Sequence, residues 1–341
     1  MPRVRIGPPS WSLTLDDHVS VLDLSPDGQH LLAGSLAGEL LIVDIVSGIV
    51  QAKLPSHPLG VLAARWSSDG SRWASGGQDG LLRIGDRTGA TLSEHALARW
   101  VEHLAWSPKG PLAASAGRTL TVVGAPGDAH RFDSVSSTIT AVAWSNNGTR
   151  VGVASYGGLT WFDADRLPST TPSRRHEFKG SPLALALSPS GKWACAGYQD
   201  ASIHLWPLWS GDDLSMSGYP AKIEHLAFRP DGQWMASACL AEITWWNFAG
   251  KGPKGTRPAV GNAHDARISW LGWQPGAHIL ASGGLDGRLA LWPSPTSVND
   301  DVQPLDVLDA ESEVATAAWL PSGDGLAVGR RDGTVELRPA R

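Results

Sequence analysis

Two carboxylate and imidazole pairs, Glu102-His103 and Glu224-His225, are the residues of this 341-residue chain whose types best suit general acid and base chemistry, in which a positioned side chain gives or takes a proton. The 11 histidines also raise the question of a metal site. Apart from His57 and His264, they are His18, His30, His95, His103, His130, His176, His204, His225 and His278. None of these shows His-x-x-x-His or Cys-rich spacing, so no tight structural zinc site is expected. The two cysteines, Cys195 and Cys239, lie among small apolar residues, and buried reduced thiols are expected rather than a disulfide framework. No nucleophile elbow, phosphate-cradling loop or paired-Cys motif is present. Catalytic residues, metal ligands and a cofactor are therefore all expected to be absent.

The elements that position these residues repeat. Turns end in Gly28, Gly70, Gly110, Gly148, Gly191, Gly232 and Gly276 at steps of 42, 40, 38, 43, 41 and 44 residues, and a longer step leads to Gly323. Each turn is followed by a small-residue strand, a second turn rich in Asp and Gly, and another apolar strand. In the clearest copy, Trp273-Gln274-Pro275-Gly276 leads to Ala281-Ser282-Gly283-Gly284-Leu285-Asp286-Gly287 and then Leu289-Ala290-Leu291-Trp292. A period near forty with about four short strands per unit predicts a β-propeller. A four-stranded sheet with two apolar faces cannot bury either alone and must stack on copies of itself.

Leu24, Trp66, Trp106, Trp144, Leu187, Phe228, Trp273 and Trp319 recur just before the first turn, where they suit packing between blades. The 17 Trp are thus expected to be mostly structural. Glu102-His103 and Glu224-His225 fall at equivalent places on the innermost strands of copies three and six. Neighbours on a strand point to opposite faces, so neither pair forms one compact site.

The predicted fold is all-β: a closed eight-bladed propeller of four-stranded antiparallel blades in a single domain, residues 1–341. Its units are approximately 16–55, 56–96, 97–135, 136–179, 180–218, 219–263, 264–310 and 311–341. The eighth copy ends without residues for an outermost strand, and the alternating segment 10–15 is expected to supply it. Seven blades with one irregular unit is the competing reading.

These motifs resemble the WD-repeat family of propellers, and the resemblance covers nearly the whole chain. His264, Ser282, Asp286 and Trp292 match the family's structural hydrogen-bond set; the second copy keeps His57, Ser75 and Asp79 but has Gly85 where Trp belongs. No copy has an intact Trp-Asp pair. A narrower resemblance concerns Met216-Ser217-Gly218-Tyr219-Pro220-Ala221-Lys222 and Asn247-Phe248-Ala249-Gly250-Lys251-Gly252-Pro253. They look like segments of a bacterial WD-repeat group whose genes lie beside CobW-like GTPase metallochaperones. That likeness implies a role accessory to zinc homeostasis and a CobW-like partner; a turn explanation competes for Tyr219-Pro220, where Pro fixes the chain's entry angle.

The net charge of −5 argues against duplex nucleic acid. No stretch reaches transmembrane length, and the N-terminus carries no apolar signal core. A cytoplasmic monomer is expected. Charge is uneven: residues 299 to 313 are acidic, whereas Arg174, Arg175 and Lys179, and Lys251, Lys254 and Arg257, form basic clusters. Solvated loops are the plain reading of such runs, and partner steering the sharper one.

Without catalysis, function should lie on loops of a rigid scaffold. Loops entering each innermost strand and those joining second and third strands share one face, the top. It is expected to carry a partner-binding rim of Trp100, Arg118, Tyr156, Tyr198, Tyr219, Lys222, Arg267, Arg330 and Arg331, since aromatic and Arg side chains anchor protein interfaces. Replacing Tyr198 and Lys222 together is expected to weaken partner capture without harming the fold. The expected function is a noncatalytic protein-protein scaffold; the alternative is a channel-based metal-binding protein or hydrolase using His103, His225 or similar groups.

Overall fold

The computed structural model describes residues 4–341 except 125–127, 133–134, 167–170 and 209–212. Eight four-stranded antiparallel sheets make an eight-bladed β-propeller, not a seven-bladed one. By contacts the chain divides into two compact units, Thr14–Pro182 and Leu183–Arg341 with the N-terminal residues to Leu13.

The Thr14–Pro182 unit holds four blades. Blade 1 is Val19–Leu24, His30–Ser35, Leu40–Asp44 and Val50–Lys53; blade 2 is Val61–Trp66, Arg72–Gly77, Leu81–Asp86 and Thr91–Ala96. Blade 3 is Val101–Trp106, Leu112–Ala116, Thr119–Val123 and Ala129–Phe132; blade 4 is Ile139–Trp144, Arg150–Ser155, Gly157–Asp163 and Pro172–Phe178. In blades 3 and 4 the Trp before the first turn does two jobs between adjacent blades. Its ring is largely covered, and its indole N–H donates to a carbonyl on the preceding blade's first strand: Trp106 to Arg65 O at 3.2 Å and Trp144 to Ala105 O at 2.8 Å. A close approach is needed as well. A Cβ on Gly34, in blade 1's second strand, would run into Val21 and into Val61, the first residue of blade 2.

The other unit repeats the pattern. Blade 5 is Pro182–Leu187, Trp193–Tyr198, Ile203–Pro207 and Leu214–Met216; blade 6 is His225–Phe228, Trp234–Cys239, Glu242–Asn247 and Ala259–Asn262. Blade 7 is Ile268–Trp273, Ile279–Gly284, Leu289–Pro293 and Asp306–Leu308. Trp273 donates to Ala227 O at 3.0 Å and Trp319 to Gly272 O at 2.9 Å. Blade 8 joins Val314–Trp319, Gly325–Arg330 and Thr334–Pro339 to Trp11–Thr14, so both ends of the chain share one sheet as the alternation of residues 10–15 predicts. The pairing reaches further than that segment. Gly7 N donates to Pro339 O at 2.8 Å, Ile6 bridges Ala340, and Val4 and Ile6 pack onto the blade's core.

A bulge recurs at the start of the innermost strands, between Val19 and Val21, Val61 and Ala63, Val101 and His103, Ile139 and Ala141, Ile268 and Trp270, and Val314 and Thr316. Each leaves one residue outside the ladder and re-aims its side chain. Ser20, Thr140 and Ser269 sit there and turn their hydroxyls back to carbonyls of the second strand. Glu102 occupies the same place in blade 3. Strict alternation therefore fails at Glu102-His103, a correction to the sequence reading, although no bond links the two side chains.

Candidate interaction surface

His57 and His264 are engaged in structure, and His103, His176 and His225 are held neutral. In blade 7, His264 Nε2 lies 2.7 Å from Ser282 Oγ, His264 Nδ1 lies 3.2 Å from the Asp286 carboxylate, and Trp292 Nε1 donates to Ser282 Oγ at 2.9 Å. The expected tetrad is complete. Blade 2 keeps His57 Nδ1 at 2.9 Å from Asp79 and Nε2 at 2.8 Å from Ser75, but builds the rest differently. Trp73 faces Gly85 across the strands where Leu280 faces Trp292 in blade 7. The indole has changed strands, and its ring fills the space above Gly85. Arg83 then reaches Asp79 at 3.3 Å and Glu94 at 2.8 Å.

Blade 6 replaces the histidine altogether. Tyr219 precedes Ser237 by 18 residues, the same interval as His57 to Ser75 and His264 to Ser282. Its hydroxyl lies 3.2 Å from Ser237 Oγ and 3.0 Å from Thr244 Oγ1, and accepts from Trp246 Nε1 at 2.7 Å. That interval was the available signal. Tyr219 is thus a tetrad residue rather than a rim residue, and the Tyr219-Pro220 string behind the CobW-group likeness serves the blade's own bonding.

Burial pushes His103 down to about 4, helped by the Arg65 cation, and burial does the same to His225 and His176. These groups are neutral at pH 7 in the folded chain and charge more readily when unfolded, so their stabilisation is full above about pH 6.5 and is lost as pH falls toward 4. Between pH 7 and pH 5 each should cost roughly 1–2 kcal/mol. Thermal melts should drop several degrees over that interval, and less so in His103→Gln/His225→Gln; a flat profile would contradict burial as the cause. Among the described residues, no group of three or more His, Cys, Asp or Glu is arranged to hold a metal ion.

The rim residues of the unit carrying blades 5 to 8 prove internally occupied. Tyr198 is fully buried, its ring edge-on to His204 at 6.4 Å, because blade 5's second strand stays covered to its last residue. Arg330 is also buried: it bonds Glu336 at 2.8 Å and Ser312 O at 2.7 Å, compensating a buried carboxylate on the neighbouring strand. These two, with Tyr219, correct the expected rim. Lys222 and Arg267 both clasp Glu224, at 2.9 and 2.7 Å, and Arg331 pairs with Glu313 at 2.7 Å. Burial pulls the Glu224 carboxyl up, but the bonds from Lys222 and Arg267 hold it below its ordinary value. Each cation there has a carboxylate partner, with Glu224 shared between Lys222 and Arg267.

The Thr14–Pro182 unit differs. Trp100 and Tyr156 are 53% and 48% exposed, and Arg118 is exposed, as the sequence predicts. Sequence reasoning left Arg99 out and placed Arg175 and Lys179 in a basic cluster, with partner steering as its sharper reading, but not on the rim. Among the described residues, none of Arg99, Arg118, Arg175 and Lys179 has a carboxylate at ion-pair distance. They are connected. Trp100 adjoins Arg99, whose side chain lies against the Cβ position of Gly117, and Gly117 precedes Arg118. The Arg118 guanidinium donates to Ser136 O at 3.5 Å. Ser136 lines a cavity of about 350 Å³ with Tyr156, Arg175 and Lys179. Leu36 and Leu59, 43% and 63% exposed, add apolar surface on top-face loops of blades 1 and 2.

Residues 10–44, 48–86, 172–207 and 255–293 match the WD40 family model, described as WD domain, G-beta repeat. These four segments carry WD40 repeats, and the chain folds as a β-propeller. The chain is 29% identical over 212 residues to the APC/C activator protein CDH1 of Saccharomyces cerevisiae, covering 58% of this chain and 37% of that protein. It is 28% identical over 145 residues to the 66 kDa stress protein of Physarum polycephalum, covering 41% and 23%. The chain thus spans less than half the length of either relative. Among solved structures, the C-terminal WD40 domain of Sif2 superposes with a TM-score of 0.81 at 16% identity, covering 98% of this chain and 99% of that one. A chain of the mitotic checkpoint complex gives 0.65 at 17% identity, covering 98% and 92%. At these identities the structural likeness speaks for the fold alone. No helix among the described residues is long and apolar enough to cross a membrane.

Proposed function

We propose that this WD40 propeller is a noncatalytic protein-interaction scaffold that receives a partner on the top loops of blades 2 to 4 of the Thr14–Pro182 unit. One observation carries the reading: exposed Trp100 and Tyr156 stand beside four cations without carboxylate partners among the described residues, whereas Lys222, Arg267, Arg330 and Arg331 are already paired. Unpaired Arg beside aromatic rings supplies what interface anchors need, a large apolar area and a fixed fork of donors. The names of two similar proteins, an activator of the APC/C and a member of the mitotic checkpoint complex, agree with a role in assemblies. The zinc-linked version, with a CobW-like partner, rests on the two short strings alone, and the first of them already has a structural use in Tyr219.

The test is capture from native cells on immobilised protein, with quantitative mass spectrometry of what is retained. Trp100→Ala/Arg118→Glu should lose at least tenfold of the retained partner, while Arg267→Glu/Arg331→Glu keeps it. Tyr198 is unsuitable for such a test, because replacing a fully buried ring perturbs the blade. Equal capture by wild type and the Trp100/Arg118 variant would move the partner off this face. Stoichiometric metal retained without any protein would instead favour the channel-based reading.

A further inference from the structure

We propose that the 350 Å³ cavity on blade 4 is an anion subsite that takes an Asp or Glu side chain from the partner's bound segment. The inference rests on the scaffold reading and adds the chemistry the partner must present. Three features of the cavity support it.

Its wall is built from two elements. Blade 4's third strand begins at Gly157, next to Tyr156, and its outermost strand, Pro172–Phe178, supplies Arg175 and His176 and leads into Lys179. A Cβ on Gly158, where φ is +121°, would collide with the His176 carbonyl, so only glycine lets the turn lie this close to the outer strand. A Cβ on Gly157 would meet nothing within 4 Å, which leaves the mouth beside Tyr156 open.

The charge favours an anion. Arg175 and Lys179 line the cavity, Arg118 reaches its Ser136 wall, and among the described lining residues Glu177 is the one opposing carboxylate. His176 is held neutral by burial and by the Arg174 cation, so it adds no charge at pH 7. A guanidinium receives a carboxylate through two parallel N–H donors, and desolvation against the Tyr156 ring strengthens that pair.

Three carboxylates of the chain's own acidic run are already engaged elsewhere. Asp306 accepts from Ile6 N at 2.8 Å, Asp309 binds Arg288 at 2.8 Å and Glu313 binds Arg331 at 2.7 Å. The volume lies at the small end of the range for ligand sites, which suits one side chain and its neighbours rather than a folded surface.

The probe is a fluorescein-labelled, Gly-Ser-flanked peptide of alternating Asp and Leu, titrated by fluorescence polarisation with the full chain. Matched peptides carry Asn or phosphoserine in place of Asp. The Asp peptide should bind, with at least tenfold weaker binding for the Asn peptide and for the Arg175→Glu/Lys179→Glu variant, and weaker binding as salt rises. Both substitutions fall on exposed side chains, and unchanged thermal melting will show that the variant folds. Equal binding of Asp and Asn peptides, no effect of charge reversal, or no binding of any peptide overturns the subsite. Binding of the phosphoserine peptide without the Asp peptide overturns the carboxylate assignment in favour of a phosphoryl group. Trp100 does not line the cavity, so capture by a Trp100→Ala single variant tests the scaffold reading separately, and that reading can stand when the subsite falls.

Discussion

Gly85→Trp, which restores the WD40 pattern to blade 2, is expected to destabilise the protein by about 4 kcal/mol, more than a typical overpacking substitution. The place the new indole needs is filled. Gly85 faces Trp73 in the ladder, and a Cβ built on Gly85 meets the Trp73 ring. The Ala90 carbonyl lies only 2.6 Å from that Cβ position, where the third and outermost strands slip register between Ile84 and Gly85. Trp73 itself is fully buried, so Trp73→Leu alone should cost about 3 kcal/mol as a cavity. Combined, the two should be less harmful than their sum, because Leu opposite Trp is the arrangement of Leu280 and Trp292 in blade 7. A coupling of about 2 kcal/mol is expected in urea denaturation of the four proteins; the backbone conflict at Ala90 prevents full recovery. Additive effects would mean that the two indole positions are not alternatives.

Removing residues 1–14 should cost more than about 5 kcal/mol and promote aggregation. The deletion strips the outermost strand from blade 8, including the Ser10 N to Leu337 O bond of 2.7 Å, the Gly7 N to Pro339 O bond of 2.8 Å and the Ile6 N to Asp306 bond of 2.8 Å. Each such bond contributes about 1 kcal/mol net, and the apolar contacts of Val4 and Ile6 with the Ala340 region add to them. The bared strand Thr334–Pro339 then offers unpaired N–H and C=O groups to another chain. A synthetic peptide of residues 4–15 added in trans should raise the melting temperature of the truncated protein in a concentration-dependent way. An unchanged melting temperature on truncation, or no response to the peptide, would show that the blade does not depend on its N-terminal strand.

The periodic part of this architecture is local, and the sequence carries it. A Gly turn every forty residues, small residues in the second strand and an aromatic before each turn specify blades and their stacking, because strand, turn and close approach each depend on a few neighbouring residues. The tetrad residues His264, Ser282, Asp286 and Trp292, and the closing role of residues 10–15, are legible for the same reason. Departures from the pattern are only half legible. The 18-residue interval points to Tyr219 as a substitute for His, but only the packed blade shows that Trp73 stands in for the indole absent at Gly85.

The availability of the rim residues was decided by tertiary structure alone. Arg267 meets Glu224 43 residues away, Arg330 meets Glu336 across a hairpin, and Tyr198 is roofed over. Arg99, Arg118, Arg175 and Lys179 look no different from these in sequence, yet among the described residues no carboxylate comes to them. Charge neutralisation and burial depend on which distant side chains the fold brings together, and residue type and periodicity do not encode that; the fold itself follows from repeated local geometry, which they do encode.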